Sequence, residues 1–368
     1  MNESPLFPGK LALQQRVLPQ YRAPFFDRLA AACQGGLSVF AGPPRPEEAI
    51  QSADRLQVAH HVPARNLHLL SGPLYLCLQP GLIAWLEAWD PDALILEANP
   101  RYPSNRAAIL WMHRRGRPVL AWGLGAVSLR GLLAGLRRWT REAYLRRFDG
   151  LIAYSSRGAE QYRAILSAPV FVAPNAVTPA PPPLPDRPPL AGRPARILFV
   201  GRLQARKRID LLLRACATMQ PRPELVIVGE GPARVDLERL AAQVYPPARF
   251  PGAQHGQALD ALFDQADLFV LPGTGGLAVQ QAMGHGLPVI VAEGDGTQSD
   301  LVRTANGWLV PEGDLGALTG ALRQALASPE RLRAMGRESH RIVAEEINLD
   351  AMVRAFVEAL NTVRGEEG

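Results

Sequence analysis

Short apolar runs closed by glycine, proline or polar turns recur along the whole chain, with amphipathic stretches of roughly 10–15 residues between them. In the first half the runs at 10–18 (KLALQQRVL), 37–42 (LSVFAG), 93–99 (ALILEAN), 118–125 (PVLAWGLG), 151–155 and 170–175 predict strands. The stretch 23–33, with Pro24 in its first turn, and the stretch 104–116, closed by Gly116, predict helices. The second half repeats the rhythm with ILFVGRL (197–203), LVIVGEGP (225–232) and a strand–turn–helix–strand run over 267–291. Two helical stretches follow, at 315–328 and 348–365. In the last, Asn348 is placed as a cap, and Met352, Phe356 and Leu360 fall four apart on one face. Strands spaced by helices of this length imply parallel βαβ units, hence an α/β protein built from doubly wound Rossmann-like sheets.

Residues 177–195 (VTPAPPPLPDRPPLAGRPA) hold eight prolines, too many missing donors for a sheet ladder, and read as an extended linker. With 368 residues, two cores are expected rather than one. The predicted division is a first domain over 1–178, a linker over 179–195, a second domain over 196–347, and a terminal helix over 348–368 packing back toward the first domain. Ligands of such folds sit at the carboxyl ends of the strands, here expected in a cleft across which the two domains face.

Composition changes this picture little. An apolar content of 47% against 20% charged residues excludes a disordered chain. Cys33, Cys77 and Cys216 are far apart, so neither a disulfide framework nor a zinc site is expected. No run of about eighteen apolar residues occurs, and a cytoplasmic setting is the expectation. Charge is more telling: residues 1–185 hold 20 Lys and Arg against 12 acids, and residues 186–368 hold 20 against 22. The basic half favours anionic partners.

The candidate chemistry is concentrated after two strands of the second half. Arg202 and Lys207 follow a strand end closely enough to reach the sheet edge, where two cations would stabilise a departing diphosphate. A solvated basic turn is the plainer reading, since Arg206 and Arg208 adjoin them. In PGTGGLAVQQAMGHG (272–286), Gly275 and Gly276 open a helix whose first N–H groups suit an anion. A tight turn needing glycine is the alternative. Gln281, one turn in, could meet a ribose or simply water. The seven histidines show no metal spacing, and no metal site is expected; His255 and His285 stand near the presumed ligand.

These residues resemble the donor half of GT-B glycosyltransferases, specifically family 4, whose members retain the anomeric configuration. The matching stretches are VGRL (200–203) with Lys207, IVGEGP (227–232), FPG (250–252), FDQADLFVLPG (263–273), GLAVQQAMGHGLPVI (276–290) and NGWLVPEGD (306–314). In the first half QRVLPQYRAPFFDRLA (15–30), ANPR (98–101), AWGLG (121–125) and VAPNAV (172–177) resemble the acceptor half more loosely. The resemblance implies that Arg202 and Lys207 are the catalytic cations on the donor's phosphates. It implies a donor site of Gly201, Gly231, Gly252, Thr274, Gly275, Gly276, Leu277 and Gln281, with a nucleotide-diphosphate sugar as substrate and no bound cofactor. Three habitual polar residues of the family are replaced: two glutamates eight apart stand here as Gly273 and Gln281, and a histidine stands as Leu124. A divergent active member, a weakened or silent one, and an introduced Glu→Gln change at 281 all fit these departures.

Residues 128–148 (SLRGLLAGLRRWTREAYLRRF) put Leu129, Leu132, Leu133, Leu136, Trp139 and Ala143 on one stripe, flanked by Arg130, Arg137, Arg138 and Arg141. An ordinary helix packed on its sheet is one reading; an interfacial helix on an anionic membrane surface, peripheral on the inner face, is the other. The functional expectation is therefore glycosyl transfer to a glycan, lipid-linked or small-molecule hydroxyl. The alternatives are a silent subunit that binds nucleotide or glycan and, among enzymes, a nucleotide-sugar epimerase. Nucleic acid is not an expected partner, because the basic half lacks interleaved aromatics.

Overall fold

The computed structural model describes residues 6–48, 50–126, 134–184, 193–294 and 296–365. It divides into two compact units, Met1–Val177 with Leu349–Gly368, and Thr178–Asn348.

In the first unit the strands are β1 (Leu11–Val17), β2 (Leu37–Gly42), β3 (His60–Pro63), a short antiparallel pair β4 (Leu67–Leu69) and β5 (Leu76–Leu78), then β6 (Ala93–Glu97), β7 (Val119–Gly123), β8 (Gly150–Ala153) and β9 (Val170–Val172). Seven of them form one parallel sheet in the order β3-β2-β1-β6-β7-β8-β9. Leu11 and Leu13 of β1 face one apolar cluster and Ala12 the other, as a strand covered on both faces requires. The helix Leu349–Gly365 belongs to this unit. Its Met352, Phe356 and Leu360 are fully buried, and the Phe356 ring lies 4.9 Å from Phe25 and 5.0 Å from Trp122. Burial of each such side chain stabilises by roughly 1.5–3 kcal/mol, which is what recruits the terminal helix. The Asn348 amide donates to the carbonyls of Val343 and Ala344, closing the helix before it.

The second unit contains β10 (Arg196–Val200), β11 (Glu224–Val228), β12 (Arg249–Gly252), β13 (Leu268–Leu271), β14 (Val289–Ala292) and β15 (Gly307–Val310), all parallel, in the order β12-β11-β10-β13-β14-β15. Its amino-terminal edge is locked by Asp267, 1% exposed, which accepts from Arg193 (2.7 and 2.9 Å), from Arg333 (2.9 Å) and from the N–H of Arg196 (2.8 Å). The described part of the proline-rich stretch forms no helix or strand. It lies against its own unit, where His340 bonds the Pro182 carbonyl at 2.8 Å.

Several elements went unforeseen. Leu82–Trp89 is apolar at nearly every position and so carries no helical contrast. Pro329–Glu345 is capped by Ser328 but dense in charge, with apolar positions too sparse to stand out. Of the stripe over 128–148, Leu129, Arg130, Leu132 and Leu133 lie outside the described residues. The described helix Ala134–Leu145 buries Tyr144 and Leu145 but leaves Leu136 58% and Trp139 67% exposed, so it is not simply packed along its apolar stripe.

Candidate functional site

In each sheet the chain reverses direction of travel between two neighbouring strands, and the loops that leave those strands diverge to open a site. In the second unit the reversal falls between β10 and β13. The loop after β10 carries Gly201, Arg202 and a 3-10 turn over Ala205–Lys207; the loop after β13 carries Gly273 to Leu277 and leads into the helix Ala278–Gly284.

These loops are fastened backbone to backbone. Gly201 N–H donates to Val228 O (3.0 Å), Leu203 N–H to Glu230 O (2.8 Å) and Gly229 N–H to Gly252 O (2.9 Å). A Cβ on Gly231 would stand 2.3 Å from the Leu203 carbonyl oxygen, so only glycine permits this approach. Gly201, Gly231 and Gly252 thus form the ledge under the site. The same closeness governs the other side: a Cβ on Gly273 would meet Arg206 O at 2.2 Å and the Lys207 carbonyl carbon at 2.5 Å. Position 273 has no room for any side chain, carboxylate included.

Arg202 is exposed and makes no hydrogen bond or ion pair among the described residues. Lys207 is turned inward at its ammonium. It is 6% exposed, and its Nζ donates to the carbonyls of Thr274 (2.8 Å) and Gly275 (3.0 Å). Burial, reinforced by the charge of Arg206, pushes its pKa down to about 8. Two of its three donors are therefore held by the β13 loop rather than projected to solvent. Because a trans peptide sets C=O and the following N–H on opposite sides, this turns the N–H groups of Gly275 and Gly276 away from the ammonium. Among the described residues the N–H groups of Gly275, Gly276 and Leu277 donate to nothing. Thr274 is tied in by its own N–H to Arg206 O (3.1 Å).

Gln281 is half-buried and directs its amide at Asp260 Oδ1 (3.5 Å) on the helix Gly256–Gln265. His285 stacks on Phe263 at 5.1 Å and bonds Asp264 at 2.8 Å, a structural engagement; His255 is an exposed cap residue of the same helix. Among the described residues no cluster of three metal-ligating side chains occurs.

In the first unit the reversal lies between β1 and β6. Here sequence reasoning missed a polar cluster. Arg16 is the extra residue of a β-bulge, since Gln15 pairs with Ala41 and Val17 with Gly42. Its N–H donates to Glu97 (2.7 Å) and its guanidinium to Glu48 (3.0 Å). Burial pushes the Glu97 carboxyl up, against the bond from Arg16. Gln14, Gln79, Asn105 and Tyr144 continue the network inward. Polar residues inside the strand pattern at 14–16 were the signal available for it.

Comparison with known proteins agrees with this geometry. Residues 184–341 match the family described as Glycosyl transferases group 1. A putative colanic acid biosynthesis glycosyltransferase of Salmonella typhimurium is 28% identical over 187 residues, 47% of this chain and 46% of that protein. A GDP-mannose-dependent alpha-mannosyltransferase of Mycolicibacterium smegmatis is 36% identical over 152 residues, 40% of this chain and 39% of that protein. The chain spans less than half the length of the curated relatives it matches. The Anabaena protein HepE, crystallised in complex with UDP, is 14% identical with a TM-score of 0.71, covering 96% of this chain and 99% of that one. The chain thus has the GT-B architecture of two Rossmann-like α/β domains, and its residues 184–341 are similar to glycosyl transferases group 1.

Proposed function

We propose that the protein is a family 4 retaining glycosyltransferase that moves a sugar from a nucleotide-diphosphate donor to the hydroxyl of a glycan, lipid-linked or small-molecule acceptor. The donor's diphosphate lies at the β10/β13 reversal, met by Arg202 and by the amides of Gly275, Gly276 and Leu277. As the bond from the sugar to the diphosphate breaks, its electron pair passes to phosphate oxygen. The acceptor oxygen bonds the anomeric carbon, and its proton leaves with the diphosphate. Arg202 stabilises the charge that develops, an effect whose removal costs about 10²–10³ in rate in comparable oxyanion sites. Lys207 acts at one remove: it holds the β13 loop so that the amides face the anion. Gly201, Gly231 and Gly252 supply the ledge, Thr274 the tie to the β10 loop, and Gln281 a ribose contact once its amide leaves Asp260.

The observation that carries the reading is that, of the two loops leaving the switch point, one carries the unpartnered guanidinium of Arg202 and the other three unclaimed amides, in a domain matching glycosyl transferases group 1. The test is donor turnover: with UDP-, GDP- and ADP-sugars and a panel of acceptors, wild type consumes at least one donor and Arg202→Ala loses at least about tenfold of that rate. Undiminished turnover in Arg202→Ala refutes the role.

One observation favours a second reading, a silent subunit that binds nucleotide. Position 273 excludes every side chain, and Gln281 carries an amide, so neither supplies the carboxylate usual in the family. Nucleotide binding without turnover on any donor selects this reading.

The acceptor chemistry is assigned to the cytoplasmic side, with peripheral attachment to an anionic membrane through the helix Ala134–Leu145. Its exposed Leu136 and Trp139 beside Arg137 and Arg138 suit an interface. Among the described residues no helix is long and apolar enough to cross a membrane.

A further inference from the structure

The first unit contains a cavity of about 330 Å³ lined by Arg16, Arg45, Glu48, Tyr75, Arg101 and Tyr102. Its walls come from the carboxyl end of β1, the loops after β2 and β6 and the turn between β4 and β5, at the sheet end where a doubly wound fold binds its ligand. The bulge at Arg16 lies at this point, where an extra residue re-aims a side chain.

Three guanidiniums share the cavity with one lining carboxylate. Glu48 accepts from Arg16 (3.0 Å) and from Arg45 (3.2 Å); burial opposes its charge, yet these bonds hold its carboxyl below the usual range. Glu47 reaches Arg45 from the rim at 3.3 Å, its side chain 64% exposed and therefore screened. Glu97 lies beneath, with burial shifting it toward its neutral form. Arg101 is the unclaimed group. Its backbone is fixed, N–H to Asn99 Oδ1 (3.1 Å) and C=O to Cys77 N–H (2.9 Å), but its guanidinium has no partner among the described residues. A planar fork of donors on a fixed backbone is suited to two oxygens of a carboxylate or phosphate. Tyr75 and the buried Tyr102 complete the wall; the Tyr75 ring lies under the Arg45 guanidinium (5.2 Å) and its hydroxyl bonds His68 (2.8 Å), which fixes Arg45 at the cavity.

We propose that this cavity is a binding site for a sugar bearing a carboxylate or phosphate, its anion held by Arg101 with Arg16 and Arg45. Read together with the transferase assignment, on which only this last step rests, it makes the acceptor an anionic glycosyl group.

The test is calorimetric titration of the whole chain at low ionic strength with glucose 6-phosphate, glucuronate and glucose. At least one anion should bind about tenfold or more tightly than glucose, and Arg101→Ala should abolish that preference. Preference for glucose 6-phosphate alone identifies a phosphate, for glucuronate alone a carboxylate. Arg202→Ala should leave the preference intact, which separates this site from the diphosphate site of the other unit. Were Arg101→Ala to lose its fold, Arg101→Gln, of similar reach without the charge, reads the same loss. Equal binding of glucose, no binding of either anion, or wild-type affinity in the Arg101 variants overturns the proposal. UDP, GDP and ADP titrated into the same samples keep the readings apart. Anion binding without nucleotide binding defeats the transferase reading alone, and nucleotide binding without anion binding defeats this site alone.

Discussion

Adding one methyl group at Gly273 should damage the site more than adding one at Gly275, for reasons that differ in kind. At Gly273 the new Cβ would meet Arg206 O at 2.2 Å and the carbonyl and α carbons of Lys207 at 2.5 and 2.6 Å. All three are backbone atoms, so no rotamer change relieves the clash, and the 3-10 turn Ala205–Lys207 must retreat by about 1 Å to ordinary contact. Overpacking of this sort costs about 1–3 kcal/mol. The retreat also loosens the Lys207 bonds to Thr274 and Gly275, each a hydrogen bond from a charged donor worth about 1.5–3 kcal/mol. Partial relaxation leaves a net loss of about 2–4 kcal/mol for Gly273→Ala, a large share of a typical domain's stability. At Gly275 a Cβ meets nothing nearer than Arg206 Nη1 at 3.6 Å, the mobile end of a side chain, but φ is +65°. Only the left-handed backbone is penalised there, by about 1–2 kcal/mol. Urea unfolding followed by circular dichroism, with nucleotide titration on the same samples, reads both terms. Gly273→Ala should be the less stable variant and the one that loses nucleotide affinity. If it unfolds within about 0.5 kcal/mol of wild type and binds nucleotide normally, the close packing of the two loops is wrong.

Two further outcomes follow from the charges. Lys207 titrates near 8 in the folded protein, and a bound diphosphate would raise that value by favouring the ammonium. Nucleotide affinity should therefore be flat below pH 7 and fall by up to about tenfold per pH unit above 8; a flat profile from pH 6.5 to 9.5 removes Lys207 from the diphosphate's field. The stability sign is opposite: with its folded pKa below the ordinary 10.5, the unfolded chain holds more protons between about pH 8 and 10.5, so this lysine alone makes folding more favourable as pH rises through that window. Cosedimentation with anionic vesicles should depend on salt and be weakened by Trp139→Ser; equal binding to neutral vesicles, or none to either, excludes the membrane reading of the helix Ala134–Leu145.

How much of this was readable in the chain varies with the physics involved. Buried parallel strands announce themselves as apolar runs, so Leu37–Gly42 is found at its observed bounds, β1 within one residue at each end and β7 within two. The glycines of the ledge were named only through the family resemblance of the turns that hold them. What could not be read is direction. Spacing puts Lys207 beside the sheet edge, but only the folded loops decide that its ammonium turns inward to two carbonyls. Gln281 sits at the expected place on its helix and faces Asp260 because a neighbouring helix, distant in sequence, supplies that oxygen. The arginines around the 330 Å³ cavity, Arg16 on a strand bulge and Arg45 and Arg101 on two loops, converge through the sheet order, which the sequence does not display.

The central claim is that a diphosphate binds at the β10/β13 reversal between Arg202 and the amides of Gly275, Gly276 and Leu277. Titration of UDP, GDP and ADP into wild type and Arg202→Ala tests it most directly, because this side chain has no bond within the described protein whose loss could disturb the fold. The account predicts that at least one nucleotide binds wild type and that Arg202→Ala binds it about tenfold or more weakly with an unchanged melting temperature. Equal affinity in the two proteins, or no binding of any of the three nucleotides, would contradict it.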